Sequence, residues 1–218
     1  MTIFTQDFGK LKILGKAIRK ITSKLRASVS LFSLSEIEFI QGKFYKTLID
    51  AALIDDFKNL KKDLKRLKIA HQISEIADIL LRGQKKDKKI WRLLDEVFYQ
   101  LDNYSLPVTH YSLPYLYFSW NLLSVLGYRP ELYQCLICGA KLKPQNLYFS
   151  RRGGLVCSSC FQNKNLEVLK VNVNAVKFLR EVLKKDFSHL SKIKVKKEHF
   201  FSLKEILDFY LSFIASDR

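Results

Sequence analysis

The sequence is poor in glycine, with 8 residues among 218, and the motifs that depend on glycine are missing. It contains no GxxxxGK[ST] loop and no GxGxxG turn, the segments that hold nucleotide phosphates in many enzymes. Its 4 histidines are scattered, and neither HExxH nor a nucleophile elbow is present. The common signatures of nucleotide hydrolysis, metalloproteolysis and serine hydrolysis are therefore absent, and we expect no enzymatic activity.

Long apolar runs are also missing. No stretch reaches the roughly 18 apolar residues that a membrane-spanning helix needs. Residues 1–7 lack both the basic start and the apolar run of a secretory signal. We therefore expect no membrane span and a cytoplasmic location.

Acidic residues are in short supply. The chain has 21 Asp and Glu against 38 Lys and Arg, which gives a net charge of +17 and a pI near 9.7. Such an excess favours a polyanionic partner, usually nucleic acid, or an anionic membrane surface. A lysine-rich surface that is merely solvated is the alternative.

Cysteine is scarce as well, but the 4 residues present form two CxxC pairs. Cys135 and Cys138 make the first pair and Cys157 and Cys160 the second, with residues 139–156 between them. This spacing is typical of a tetrahedral Zn²⁺ site built from two knuckles, because four thiolates hold zinc well. Four protein ligands leave no open position for water, so the predicted site is structural. Disulfide bonds and a redox-active CxxC pair are the alternatives.

The hydrophobic pattern changes period along the chain. Residues 1–53 include segments that alternate polar and apolar side chains, as half-buried strands do. Further on, apolar residues recur at three- and four-residue steps, which predicts helices over about 56–81, 90–101, 114–126, 175–183 and 203–214. We therefore predict an α+β protein, with a small β domain over 1–53 and a helical domain over 54–218 that contains a zinc module at 133–162.

Two groups of basic residues are candidates for phosphate contact. The connection after the first predicted strands carries no acid and five cations, namely Lys16, Arg19, Lys20, Lys24 and Arg26. Between the cysteine pairs, Arg151 and Arg152 precede two glycines, where a turn would expose both guanidiniums. In each case the alternative is a solvated loop without a ligand.

Aromatic residues are concentrated around the third predicted helix, at Tyr111, Tyr115, Tyr117, Phe118 and Trp120. Such a cluster fits either base stacking or core packing. Because Leu116, Trp120 and Leu123 follow helical steps, core packing is the favoured interpretation.

Several longer segments share the motifs of one protein family. Residues 118–139 run from a helix through LGYRPEL to CxxCG, and residues 148–160 read YFSRRGGLVCSSC. Residues 2–11 read TIFTQDFGKL, and residues 15–26 form a basic stretch after a glycine. In sequence and in their order along the chain, these segments resemble the bacterial RecO family of recombination mediators. Members of that family typically show LGY.P.L before CxxCG and then F....GG..C..C.

The resemblance implies an N-terminal OB fold and a helical C-terminal domain with an embedded zinc module. It also implies binding of single- and double-stranded DNA, annealing of complementary strands, and help in loading RecA onto DNA coated by single-stranded-DNA-binding protein. The implied partners are RecR and the acidic tail of that coating protein, and the implied location is the nucleoid. Family members usually carry a further strand before the position that matches Met1. Either the start of this chain was assigned too late, or its OB-like barrel is a reduced variant without the first strand.

Together, the residues and the resemblance lead to the hypothesis of a non-enzymatic DNA-binding mediator of recombinational repair. The basic residues would track the sugar-phosphate backbone, because each neutralised phosphate releases counterions. Three other interpretations stay open. They are an RNA-binding zinc protein, a redox enzyme that uses a CxxC pair, and an adaptor whose basic surface docks acidic protein tails.

Overall fold

The computed structural model describes residues 1–16, 18, 25–103, 112–162, 166–193 and 195–216. It divides into two compact units, Met1–Tyr104 and Ser105–Arg218, called unit 1 and unit 2 below. The change from strands to helices occurs near the predicted place, because the last strand of unit 1 ends at Asp55. The helices that come immediately after this strand lie within unit 1. The predicted division into domains at 53/54 stays a prediction.

Unit 1 begins with a four-stranded sheet. Its strands are β1 (Thr2–Thr5), β2 (Gly9–Leu14), β3 (Leu34–Gln41) and β4 (Lys46–Asp55), in the spatial order β1-β2-β4-β3. The pairs β1–β2 and β3–β4 are antiparallel, whereas β2 and β4 run parallel. The predicted α+β class is therefore confirmed.

The sheet is open within the part of the chain that the structure describes. Strands β1 and β3 are its two edges, and no ladder joins them. The closed OB barrel that the resemblance implied is therefore not confirmed.

The basic connection between β2 and β3 also has an apolar role. The centre of the sheet is a small core of Leu11, Ile13 and Leu48. Ile18 of the connection packs against this core, as does Leu25 of the short helix α1 (Leu25–Ser28). The described residues Ile18 and Leu25 therefore cover part of the sheet with apolar side chains.

Three further helices complete unit 1, namely α2 (Lys58–Lys62), α3 (Leu64–Leu80) and α4 (Lys88–Asn103). The prediction of one continuous helix over 56–81 is wrong, because Asp63 adopts an extended backbone between α2 and α3. Its carboxylate accepts hydrogen bonds from the N–H groups of Lys65 and Arg66. A short acidic side chain that satisfies the first free N–H groups is a strong helix start, so α3 begins anew at this residue.

Helix α2 is capped from a distance by α4. The residue before α2, Phe57, has φ of 44° and offers no capping side chain. Instead, the buried carboxylate of Asp102 accepts hydrogen bonds from the Leu60 N–H at 2.8 Å and from the Asn59 amide at 3.3 Å. A single buried acid thus fixes the junction of two helices.

We expect Asp102→Ala to lower the free energy of unfolding by about 1–3 kcal/mol, because it leaves the buried Leu60 N–H without an acceptor. Urea denaturation would measure the loss. Asp95→Ala is the matched control, since Asp95 is an exposed acid on the same helix. Equal denaturation midpoints for the two variants would contradict the capping role.

Unit 2 consists of helices around a three-stranded antiparallel sheet of order β6-β5-β7. Its elements are α5 (Leu113–Val125), β5 (Leu147–Ser150), β6 (Gly154–Val156), α6 (Ser158–Gln162), β7 (Val168–Val171), α7 (Val173–Val182), α8 (Phe187–Leu190) and α9 (Lys197–Ser216). Among the described residues, no helix is both long and apolar enough to cross a bilayer.

Helix α5 forms the centre of unit 2. Phe118 and Trp120 are fully buried. The Trp120 ring stacks on Tyr210 of α9 at 6.2 Å and meets Phe149 of β5 edge-on at 6.3 Å. The interpretation of this aromatic cluster as core is confirmed for α5, while Tyr111 lies outside the described residues.

Candidate metal centre and basic surfaces

The first cysteine pair lies on a tight turn that is held by its own backbone. The Gly139 N–H donates to the Cys135 carbonyl at 2.9 Å, and the Cys135 N–H donates to the Ala140 carbonyl at 2.8 Å. Gly139 has φ of 70°, a left-handed conformation that glycine adopts at little cost. The turn therefore brings Cys138 back beside Cys135.

Glu131 fixes the segment that enters this turn. Its carboxylate accepts hydrogen bonds from the N–H groups of Tyr133 at 2.7 Å and Gln134 at 3.0 Å, and these bonds lower the pKa of the Glu131 carboxyl. Its backbone N–H donates to the Gly153 carbonyl, and its own carbonyl accepts from the Leu155 N–H. The first knuckle is thereby attached to the β5–β6 hairpin.

The second cysteine pair follows that hairpin directly. Cys157 comes right after β6, and Cys160 lies in α6. The Cys157 N–H points at the Cys135 sulfur, with 3.5 Å between nitrogen and Sγ. The Phe161 N–H donates to the Cys157 carbonyl, which holds the second turn.

The four cysteines predicted as ligands come together. Their sulfur atoms all lie within 4.8 Å of one another, and Cys138 and Cys157 are 3.9 Å apart. All four thiols are free of disulfide bonds. Zn–S bonds of about 2.3 Å in a regular tetrahedron separate the sulfurs by about 3.8 Å, so the cluster fits a zinc ion.

The thiol pKa values within the cluster move in opposite directions. Burial raises the pKa of Cys135, but hydrogen bonds from the backbone N–H groups of Cys138, Cys157 and Ile137 outweigh it and lower this pKa to about 6. Burial and the neighbouring thiols raise the pKa of Cys160 to about 12. The first thiolate thus forms readily at neutral pH, whereas the last needs a cation to offset the repulsion. This donor set suits a thiophilic divalent ion, because coordination removes the remaining protons.

The two arginines of the β5–β6 turn differ in their surroundings. Arg151 donates to the Glu167 carboxylate at 2.9 Å, and its guanidinium lies 5.1 Å from the centre of the Phe209 ring. Arg152 is exposed, and no acidic partner is found for it among the described residues. Of these two arginines, only Arg152 therefore has a guanidinium that is not paired with a carboxylate in the described part of the chain. Phosphate contact by Arg151 and by Arg152 stays a prediction.

The basic connection of unit 1 is described in part. Lys16 is exposed directly after β2, and Arg26 is exposed on α1. Arg19, Lys20 and Lys24 lie outside the described residues. Phosphate contact by this group stays a prediction.

A row of cations on α7, not predicted from the sequence, lies beside the first knuckle. Lys177, Arg180 and Lys184 are spaced by three and four residues and therefore share one face of α7 and its C-terminal end. The charged groups of Arg180 and Lys184 lie 4.6 and 5.1 Å from the centre of the Tyr133 ring. Arg180 also donates to the Leu132 carbonyl. The helical spacing was readable in the sequence, but the contact with Tyr133 required the fold.

We expect one zinc ion per chain in protein purified under reducing conditions, and almost none in a Cys138→Ser variant. Cys138 is exposed, so its replacement removes a ligand without opening a cavity. Loss of metal should also lower the melting temperature, since a structural zinc contributes about 10–16 kcal/mol of apparent binding energy in finger peptides.

Elemental analysis and thermal unfolding with and without a chelator measure both effects. Ser159→Ala, at an exposed position within the second CxxC pair, is the control and should keep its zinc. Metal-free wild-type protein with an unchanged melting temperature would contradict a structural zinc.

A family model and several known proteins that are similar to this chain all belong to one family. The family model described as "Recombination protein O C terminal" matches residues 61–214. A DNA repair protein RecO from Dehalococcoides mccartyi strain BAV1 is 31% identical over 200 residues, which cover 91% of this chain and 76% of that protein. The RecO protein of Caldanaerobacter subterraneus is 31% identical over 197 residues, covering 89% and 76%. That of Alkaliphilus metalliredigens is 26% identical over 211 residues, covering 97% and 84%.

Proposed function

This chain belongs to the RecO family of DNA repair proteins, and we propose that it acts as a non-enzymatic DNA-binding mediator of recombination. Family membership is the observation that carries the proposal. The net charge of +17 supports it, because a polyanion is the partner that such an excess of cations attracts. We propose binding of both single- and double-stranded DNA in the cytoplasm, at the nucleoid.

In this proposal, each unit contributes cations that contact phosphate. In unit 1 these are Lys16 and Arg26, with Arg19, Lys20 and Lys24 of the same connection. In unit 2 they are Arg152 and the α7 row. Neutralising the phosphates of two strands lowers their mutual repulsion, so complementary strands can meet and pair without nucleotide hydrolysis.

The zinc ion has a structural role in this proposal. When bound, Zn²⁺ would balance the charge of the four thiolates and hold the two knuckles together. The knuckles are attached to the β5–β6 turn that displays Arg152, and the Leu132 carbonyl beside them accepts from Arg180. A firm metal site thus supports the basic groups of unit 2.

The family also suggests what the protein works with. We propose that the sheet of unit 1 serves as the OB-type surface of the family. We further propose that the protein binds RecR and the acidic tail of single-stranded-DNA-binding protein, and helps RecA to load onto the coated strand. A basic surface suits an acidic tail, and the same charge supports both contacts.

Replacing both described cations of the connection, in Lys16→Ala/Arg26→Ala, should weaken DNA binding and flatten its salt dependence. For two lost phosphate contacts, the slope of log affinity against log salt should fall in magnitude by about 1.4 on single strands. Fluorescence anisotropy at several salt concentrations measures it. Lys62→Ala/Lys68→Ala, at two exposed positions of α2 and α3, is the control, because it removes the same positive charge elsewhere in unit 1. An unchanged slope would reject these contacts.

Removing the outer cations of the α7 row, in Lys177→Ala/Lys184→Ala, should slow the annealing of complementary oligonucleotides by the zinc-loaded protein. Annealing should slow because unit 2 then makes fewer contacts with the phosphates of one of the two strands. Lys204→Ala is the control, because the ammonium of Lys204 is already paired with Asp208 at 2.7 Å. In the same experiment, DNA and RNA oligomers of one sequence compete for binding to the protein, which measures its preference between the two. Absence of annealing by the wild-type protein, or preferred binding of RNA, would contradict the proposed function.

A further inference from the structure

The turn between β3 and β4 presents two adjacent aromatic side chains to solvent. Phe44 is 79% exposed and Tyr45 is 69% exposed. We call residues 42–46 the β3–β4 tip. Scattered single hydrophobic residues on a surface are ordinary, but two neighbouring aromatic rings at the end of a hairpin form a contact surface that neither the sheet nor the core uses.

Hydrogen bonds hold the tip in shape. The Gly42 N–H donates to the Tyr45 carbonyl at 2.9 Å, and the Gln41 side-chain amide donates to the Gly42 carbonyl at 2.8 Å. A Cβ at Gly42 would lie 2.9 Å from the Tyr45 carbonyl oxygen, so the turn needs glycine. The Lys43 ammonium lies 5.5 Å from the centre of the Phe44 ring. The display of both rings is therefore set by the backbone of the turn.

Charge is segregated along the same hairpin. On its body, Glu36 and Glu38 are exposed on β3, and Glu38 stands directly opposite Asp50 of β4. These three carboxylates share one face, since cross-strand partners and alternate residues point the same way. At the tip, the charges are those of Lys43 and Lys46. On this face of the hairpin, a polyanion is thus repelled from the body and attracted to the end.

Flat aromatic faces beside lysine ammonium groups match the chemistry of unpaired nucleotides. Each base offers a π-face to a ring, and each nucleotide adds a phosphate for a cation. In a duplex the base faces are covered by their neighbours, so the same rings have nothing to stack on. The carboxylates of an acidic protein segment would pair with the lysines, but they offer no flat face on which the rings could stack.

We infer that the β3–β4 tip is a stacking site for the bases of single-stranded DNA. Phe44 and Tyr45 contact the bases, and Lys43 and Lys46 lie near the flanking phosphates. The inference rests on the proposed DNA binding and adds a preference to it: the tip favours unpaired strands over duplex.

The test compares the full-length, zinc-loaded protein with the variant Phe44→Ala/Tyr45→Ala. Both side chains are largely exposed, so the fold should be unaffected. Loss of stacking should lower the affinity for a labelled single-stranded oligonucleotide by at least about fivefold per ring, with the affinity for the matching duplex unchanged. The salt dependence should also be unchanged, because no cation is removed.

Three further variants sharpen the result. Phe44→Trp/Tyr45→Trp should keep the single-strand affinity, because indole rings also stack. Lys43→Ala/Lys46→Ala should make the affinity for single strands less dependent on salt, because it removes two cations. Phe201→Ala, which removes a ring that is 72% exposed on α9, is the matched control and should leave both affinities unchanged.

The outcomes separate the inference from the function on which it rests. Wild-type protein that binds neither single strands nor duplex in low salt overturns both. If the wild-type protein binds DNA, the inference alone is overturned by either of two results for Phe44→Ala/Tyr45→Ala. These are an equal loss of affinity for single strands and duplex, and no loss of affinity for either. A variant that binds DNA normally but no longer binds RecR or single-stranded-DNA-binding protein would make the tip a protein-docking site, and the inference would again be wrong.

Discussion

The close approach of four thiols is the constraint on which the two cysteine knuckles of unit 2 depend. Four sulfur atoms within 4.8 Å of one another cannot all carry a charge unless a cation lies between them. The backbone favours the first thiolate at Cys135, and the cluster disfavours the last at Cys160. A divalent ion bound between the sulfurs would resolve this conflict and hold together the two knuckles and the β5–β6 hairpin.

A large net charge does not mean that every cation is available to a ligand. Lys10 donates to the carbonyls of Asp78 and Leu81 and forms an ion pair with Asp78, so it stabilises the end of α3. Arg151 is likewise committed to Glu167. By contrast, Lys16 and Arg152 are exposed. Contacts within the fold therefore pair some cations with carbonyl or carboxylate groups and leave others exposed to solvent.

The aromatic residues illustrate why sequence pattern and exposure have to be considered together. The cluster around Trp120 follows helical steps, and its burial on α5 agrees with that pattern. Phe44 and Tyr45 are only two adjacent rings beside a glycine, and such a pair has no period from which its exposure could be read. Their exposure depends on the geometry of a turn that is closed by the Gly42–Tyr45 hydrogen bond. The acidic face of the same hairpin depends on register, because Glu38 and Asp50 become neighbours only when β3 and β4 pair.

The sequence alone determined the α+β class, most of the longer helices, the aromatic core on α5 and the four cysteines that come together. These features follow from short-range regularities, namely the helical period and the CxxC spacing, which local backbone geometry enforces. The tertiary structure decided what distant residues do to one another. It placed the cap from Asp102, left the sheet of unit 1 open, turned Arg151 toward Glu167 and set Tyr133 beside Arg180. Such contacts join residues far apart in the chain, and their energies depend on burial and distance that only the folded chain defines.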